Sequence, residues 1–197
     1  MIKRIFDWLA SGLGLLLLTP VFLFLVVLIK LDSPGPVFFR QERVGQFGQL
    51  FRIYKFRTMV TDAEKLGLQL TVGADARVTR VGQYLRKYKI DELPQLLNVW
   101  LGHMSLVGPR PEVPRYVACY PNDLRDVVLS VRPGITDRAS IEFKDENEIL
   151  GVAADPNTAY INDVLPIKLG YYVDYVNTRS FWGDFSLIIK TFAALVR

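Results

Sequence analysis

"WLASGLGLLLLTPVFLFLVVLI", residues 8–29, carries no charged side chain. A bilayer-spanning helix needs about 20 consecutive apolar residues, so the stretch is long enough to cross. It is too long for the apolar core of a signal peptide, and no small-residue cleavage site follows before Lys30. Two readings compete: a straight spanning helix, or one that enters and leaves the same leaflet. Thr19-Pro20 falls in the middle, and an internal proline removes a helical hydrogen bond and crowds the preceding turn. Lys3 and Arg4 precede the stretch, and Lys30, Arg40 and Arg43 follow it. Positive residues favour the cytoplasmic side, and here both ends are positive. The expectation is therefore a re-entrant membrane helix over residues 1–31, bent at Thr19 and Pro20. The Thr19 hydroxyl would satisfy a carbonyl freed at the bend.

The remaining chain, residues 32–197, has room for one ordinary domain. Apolar residues make up 50% of the sequence, and the net charge of +4 with a pI near 9.2 suits anionic partners. Its single cysteine, Cys119, excludes an internal disulfide framework and a cysteine-based zinc site. Its single histidine, His103, excludes a poly-histidine metal site and confines any Ser-His or Cys-His system to that residue. Catalysis must then rest on carboxylates, cations, hydroxyls and a hard metal such as magnesium.

After the turn-rich "DSPGPVFF" (32–39), "VFFRQERVG" and "LFRIYKFRTM" read as a β-hairpin joined at "QFGQ". Two-residue periodicity puts Phe51, Ile53, Lys55, Arg57 and Met59 on one face. Converging cations there suit either a phosphate site or a solvated sheet edge. Residues 60–76 read as a polar loop with a short helix. Val81, Tyr84, Leu85 and Tyr88 recur at helical spacing in "TRVGQYLRKYK", with a basic opposite face suited to anionic lipid. "QLLNVWLG" reads as a helix after Pro94 that stops at Gly102, and Glu112–Val131 as helix broken near Pro121. The tail "SFWGDFSLIIKTFAALVR" is an amphipathic helix whose Phe181, Trp182 and Phe185 serve as core or as interface anchors.

"KIDELPQLLN" (89–98) sets Asp91 beside Glu92 ahead of a helix whose first turn tolerates Pro94. A helix start needs only one acidic cap, so the second carboxylate is either a solvated first-turn residue or there for chemistry, and the positive end of the helix favours carboxylates and phosphates alike. "KFRTM" (55–59), "DELPQLLNV" (91–99), "MSLVGPRP" (104–111) and "RPGIT" (132–136) follow in order. With the apolar N-terminus and "SPGPVFF", this set resembles the bacterial sugar transferase family, the monotopic phosphoglycosyl transferases, in their minimal catalytic form.

The resemblance implies transfer of a sugar-1-phosphate from a UDP-sugar to polyprenyl (undecaprenyl) phosphate with release of UMP. That step initiates bacterial surface glycan assembly at the cytoplasmic face of the inner membrane. It implies an α+β fold with the re-entrant helix kinked at a proline, a small β-hairpin and several amphipathic helices at the membrane interface, residues 32–197 forming the catalytic domain. It implies magnesium at the Asp91–Glu92 dyad, with Asp91 as the nucleophile that forms a covalent phosphosugar intermediate and Glu92 as the metal ligand. Arg110, held between two prolines, is the leading phosphate-binding candidate. Lys55, Arg57, Arg86 and Arg132 are further candidates for the same pocket. Partners implied are UDP-sugar, polyprenyl phosphate and inner-membrane lipids, with a second copy of the chain and downstream glycosyltransferases as candidates. The chain departs from the family pattern at His103, read as structural, at Asp137, Arg138 and Ala139, and at a late acidic position where Asp174 is a shifted candidate. A non-catalytic membrane adaptor is the alternative; a nucleic-acid binder is a further rival, disfavoured by the lack of a recognition motif and by the membrane segment. An enzyme releasing UDP instead of UMP is distinguished by its product.

Overall fold

The apolar segment is helix α1 (Ile2–Asp32), continuous through Pro20. At 1.5 Å per residue it is about 46 Å long, against roughly 30 Å for a hydrocarbon core. The computed structural model describes residues 2–61, 63, 75–142, 150, 151, 153 and 155–196. Most of the expected loop at 60–76 lies outside them.

Only one stripe of α1 is buried, at Asp7, Ser11, Leu25 and Ile29. Asp7 and Leu25 are 18 positions apart, five turns at 3.6 residues per turn, as are Ser11 and Ile29. One edge of the helix thus packs on the domain near both of its ends. At the start, Lys3 Nζ donates to Val107 O (3.1 Å) and pairs with Asp184 (2.5 Å). The Asp7 carboxylate accepts from Ser105 Oγ (2.8 Å) and Leu106 N (3.2 Å). At the far end, Leu25 and Ile29 pack on Phe56 and Leu85. Elsewhere α1 presents bare apolar side chains, including Leu9, Leu13, Leu16, Leu17, Leu23 and Phe24. Withdrawing such side chains from water is worth ~1.5–3 kcal/mol each, so in water this face is a large liability. The Thr19 hydroxyl donates to Leu15 O (2.8 Å), which is not the carbonyl that Pro20 frees, that of Leu16.

Strands β1 (Phe38–Val44) and β2 (Leu50–Phe56) form the expected antiparallel hairpin. Its tip departs from a regular turn at Phe47, which has φ 57° and whose N–H is tied to Leu129 O (2.7 Å). Phe51 and Ile53 face Val99 and Met104, while Phe56 faces α1. The hairpin is therefore covered on both sides. Helix α2 (Arg80–Lys87) is capped by Thr79, which accepts from Gly82 N. Asp32, at the end of α1, accepts from Val81 N (3.0 Å), tying the two helices together. Of the four residues expected on its apolar face, Leu85 is buried but Tyr84 and Tyr88 are exposed, because only the side against α1 finds a neighbour.

A turn at Ile90–Glu92 leads into α3 (Gln95–Leu101), which ends where expected at left-handed Gly102. The short parallel strands β3 (Ser105–Val107) and β4 (Gly134–Thr136) were not foreseen. They join "GPRP" to "RPGIT" with main-chain bonds from Gly134 N to Pro109 O (2.9 Å) and Gly108 N to Thr136 O (3.1 Å). A Cβ at Gly108 would lie 2.5 Å from Arg132 O, and one at Gly134 would lie 2.1 Å from Gly108 N. Both motif glycines exist for this close approach.

The expected helix over Glu112–Val131 is two short ones, α4 (Pro114–Val117) and α5 (Asn122–Val128), separated at Pro121. After α6 (Arg138–Glu142), α7 (Pro156–Ala159) runs through a π-helical turn at Tyr160–Val164 into α8 (Leu165–Thr178). These elements build the main core around Tyr116, Tyr160, Leu165, Leu169 and Tyr172. Finally α9 (Phe181–Val196) returns to the start of α1, where Phe6 meets Phe181 edge-on. Its outer face bears exposed Trp182, Phe185, Ile189 and Phe192.

Candidate active site

The dyad lies where α2, the hairpin and α3 meet. Lys89 takes a left-handed conformation (φ 54°) that ends α2 and swings the chain into the Ile90–Glu92 turn. A non-glycine residue held there stores on the order of 1–2 kcal/mol of strain. Leu93 and Pro94 are helical, so the backbone coils without interruption from Ile90 into α3. With only seven residues, α3 contributes a weak dipole. The field at the dyad comes from side chains.

Glu92 is the hub. Its Oε1 accepts from Lys55 Nζ (2.7 Å) and Arg110 Nη2 (2.6 Å), and its Oε2 accepts from Arg110 Nη1 (3.2 Å). This is a bidentate fork with a second cation beside it. Burial alone would raise the Glu92 pKa, but Arg110 and Lys55 hold it well below the usual carboxylate range. Asp91 behaves in the opposite way. It is 8% exposed, and its Oδ1 is a buried acceptor with no hydrogen-bond partner. Burial pushes its carboxyl up, Lys55 opposes that, and the Glu92 charge adds to it. Burial also lowers Lys55, with Glu92 opposing. Two adjacent carboxylates thus receive different environments, one saturated with cations and one left open.

Of the expected basic residues, the structure gathers Lys55, Arg86 and Arg110. Arg86 Nε donates to Thr58 Oγ1 (2.8 Å), and the Arg86 charge couples to Asp91. Arg57 goes elsewhere. β2 ends at Phe56, so the two-residue alternation no longer holds. Its guanidinium caps the end of α1, donating to Pro34 O, to Ser33 O (2.7 Å) and to Ile29 O (3.4 Å). Arg132 is exposed and donates to Gly102 O (2.9 Å) at the end of α3. Asp174 is exposed, and His103 stacks on Phe51 with ring centroids 5.8 Å apart.

Three residues of this neighbourhood were not singled out for it beforehand. Arg43 donates to Pro111 O (3.0 Å) and Gln41 Oε1 (2.6 Å), and its charge couples to Arg110 and Glu92. Hairpin register supplies the signal for it: Arg43 pairs with Phe51, and Phe39 with Lys55, so Arg43 shares the Lys55 face. Glu112 accepts from Tyr160 Oη (2.5 Å). Asp137 is 1% exposed and is held by Ser140 N (2.9 Å) and Oγ (2.8 Å). Burial raises its pKa, with Ser140 and then Arg110 opposing.

Magnesium keeps most of its shell for water and substrate phosphates and takes only one or two protein carboxylates. The dyad fits that demand. Asp91 Oδ1 is an open acceptor, and Glu92 is ionised beside two cations that a diphosphate can draw off. Among the described residues no larger acidic, histidine or cysteine cluster forms a protein-only cage.

The chain is 41% identical over 197 residues to a UDP-N-acetylgalactosamine-undecaprenyl-phosphate N-acetylgalactosaminephosphotransferase of Aeromonas hydrophila, covering 99% of this chain and 44% of the relative. It is 54% identical over 110 residues to the exopolysaccharide production protein PSS of Rhizobium leguminosarum bv. phaseoli, 55% of each chain. It is 36% identical over 205 residues to a UDP-glucose:undecaprenyl-phosphate glucose-1-phosphate transferase of Caulobacter vibrioides, 98% of this chain and 69% of the relative. The chain spans about half the length of the first two. The family model for bacterial sugar transferases matches residues 1–197, and the chain belongs to that family.

Proposed function

We propose that this protein transfers a sugar-1-phosphate from a UDP-sugar to polyprenyl phosphate, releasing UMP and starting the assembly of a bacterial surface glycan. The observation that carries this reading is the pairing of an open, buried Asp91 with a Glu92 that gathers Lys55 and Arg110. A membrane adaptor has no use for a buried carboxylate without a partner, which costs stability. Relatives named for transfer to undecaprenyl phosphate support the same reaction class. Their names differ in the sugar, so the sugar is left to experiment. UDP-glucose, UDP-galactose and UDP-N-acetylgalactosamine, each given with a short polyprenyl phosphate and magnesium, test the proposal. UMP should appear with one of them, and UDP release would move the reaction to glycosyl transfer.

The transfer proposed runs in two steps. An Asp91 carboxylate oxygen attacks the phosphorus that bears the sugar, the bond to the bridging anhydride oxygen breaks, and UMP leaves with the electron pair. The polyprenyl phosphate oxygen then attacks the same phosphorus, breaking the acyl phosphate and restoring the carboxylate. Lys55, Arg86 and Arg110 neutralise the diphosphate; on its arrival Lys55 and Arg110 turn from Glu92 toward phosphate oxygens. Asp91 and Glu92 would hold magnesium, which when bound offsets phosphate charge.

Asp91 attacks only as the carboxylate, and burial raises its pKa. Hence kcat/KM should fall as pH drops, along a limb displaced above the ordinary aspartate range. The stability sign is opposite. A carboxyl with a raised folded pKa contributes its stability at low pH and loses it as pH rises through that pKa. A pH–rate series checks the first statement, and an acid limb at or below the ordinary aspartate value contradicts it.

The membrane arrangement proposed is re-entrant, with the domain on the cytoplasmic face of the inner membrane. Its support is that both ends of α1 pack on the same domain, and that the bare faces of α1 and α9 offer apolar and aromatic side chains to lipid. In a Cys119→Ser background, Ile2→Cys and Arg40→Cys should both resist a membrane-impermeant label in sealed cells. Labelling at position 2 from outside restores a spanning helix. Pro20→Leu should shift the population toward spanning.

A further inference from the structure

Asn98 and Gln95 lie on the same face of α3, one turn apart, and their amides meet different fates. Both polar atoms of the Asn98 amide are bonded: Nδ2 donates to Arg52 O (2.9 Å) and Oδ1 accepts from Tyr54 N (2.8 Å). That is what a structural amide does against β2. Gln95 is just as buried, at 1% exposure, yet its Nε2 donates to nothing. A buried donor without an acceptor is costly and uncommon, and it calls for a partner that arrives later. Its position says which partner. The backbone coils continuously from Ile90, so Gln95, the first residue of α3, lies four residues after Asp91 and three after Glu92, about one turn along the chain from the dyad. Asp91 Oδ1 is likewise a buried acceptor without a donor. An unpaired donor and an unpaired acceptor thus stand one turn apart at the nucleophile.

We propose that Gln95 is a catalytic residue whose Nε2 donates a hydrogen bond to a non-bridging oxygen of the sugar-bearing phosphate while Asp91 attacks it. This rests on the transfer reaction proposed above. The Asp91 oxygen–phosphorus bond forms, the phosphorus–UMP bond breaks, and the electron pair leaves with UMP. Gln95 gains and loses no proton. A neutral donor suits this place better than another cation. Lys55, Arg86 and Arg110 already supply the charge that the diphosphate needs. An amide holds the phosphoryl oxygen without adding to it.

Gln95→Met, of similar length but unable to donate, tests the assignment in the full chain with magnesium, UDP-glucose or UDP-N-acetylgalactosamine, and no lipid acceptor. Two quantities are read: the rate at which the protein gains one phosphosugar by intact mass, and the unfolding temperature. The adduct should form about 10²-fold more slowly, still on Asp91, at a half-saturating UDP-sugar concentration within a few-fold of the parent. The unfolding temperature should hold or rise, because an unpaired buried amide has been removed. A merely structural glutamine predicts the reverse, lower stability with normal chemistry. A rate within about threefold of the parent, or a slow rate in a destabilised protein, overturns the inference. Absence of adduct in the parent itself sinks the covalent route on which this inference rests, whereas a normal adduct in the variant sinks the role of Gln95 alone.

Discussion

Asp91→Asn is expected to abolish sugar-phosphate transfer while leaving a folded protein. The loss should be on the order of 10⁴-fold or more, the scale seen when a covalent nucleophile is removed. The reason is local. Asp91 is the carboxylate of the dyad with an unengaged oxygen. An amide of the same shape cannot form an acyl phosphate. Because burial disfavours the ionised carboxyl, neutralising it relieves a cost at neutral pH. The variant should therefore unfold at least as high as the parent at pH 7. Inactivity combined with collapse of the fold would instead make Asp91 a structural acid. UMP release from the variant at even a tenth of the parental rate would remove it from the nucleophile role.

Arg110→Lys should cost roughly 2–4 kcal/mol of transition-state stabilisation, about 30- to 1,000-fold in kcat/KM. The guanidinium grips both oxygens of Glu92 through separate nitrogens. A carboxylate and a phosphate present similar oxygen pairs, so the same fork transfers from one to the other. Lysine keeps the charge but has a single ammonium on a flexible stem. Arg110→Lys also leaves Glu92 with two cations, which keeps the fold intact and isolates the loss of the fork. Steady-state kinetics with UDP-sugar varied check it. Turnover within a few-fold of the parent would return Arg110 to a structural turn between Pro109 and Pro111.

The parts of the fold legible in the sequence were those with a local cause. Residues 8–29 announced a long apolar helix, alternation around "QFGQ" announced the hairpin, and Pro94 with Gly102 bracketed α3. Non-local pairing stayed hidden. Strands β3 and β4 are three residues each and lie beside one another only because Gly108 and Gly134 admit the approach. The π-turn at Tyr160–Val164 and helix α8 carry much of the main core, yet apolar and polar residues mix there without a clean period. The site divides in the same way. Asp91 and Glu92 stood out because they are adjacent. Arg57 looked like a partner of Lys55 only while β2 was assumed to run on; the strand stops one residue earlier, and Arg57 closes the end of the membrane helix instead. Gln95 gave no warning, since nothing in the sequence separates a satisfied amide from an unsatisfied one.

The central claim is that the sugar phosphate rests on Asp91 between the two substrates. The full chain, incubated with UDP-sugar and magnesium but no polyprenyl phosphate, should gain the mass of one phosphosugar and release one UMP. Peptide mapping should place the adduct on the segment bearing Asp91, and added polyprenyl phosphate should discharge it. An unchanged mass, with UMP appearing only when both substrates are present, would contradict the covalent route and require direct transfer between the bound substrates.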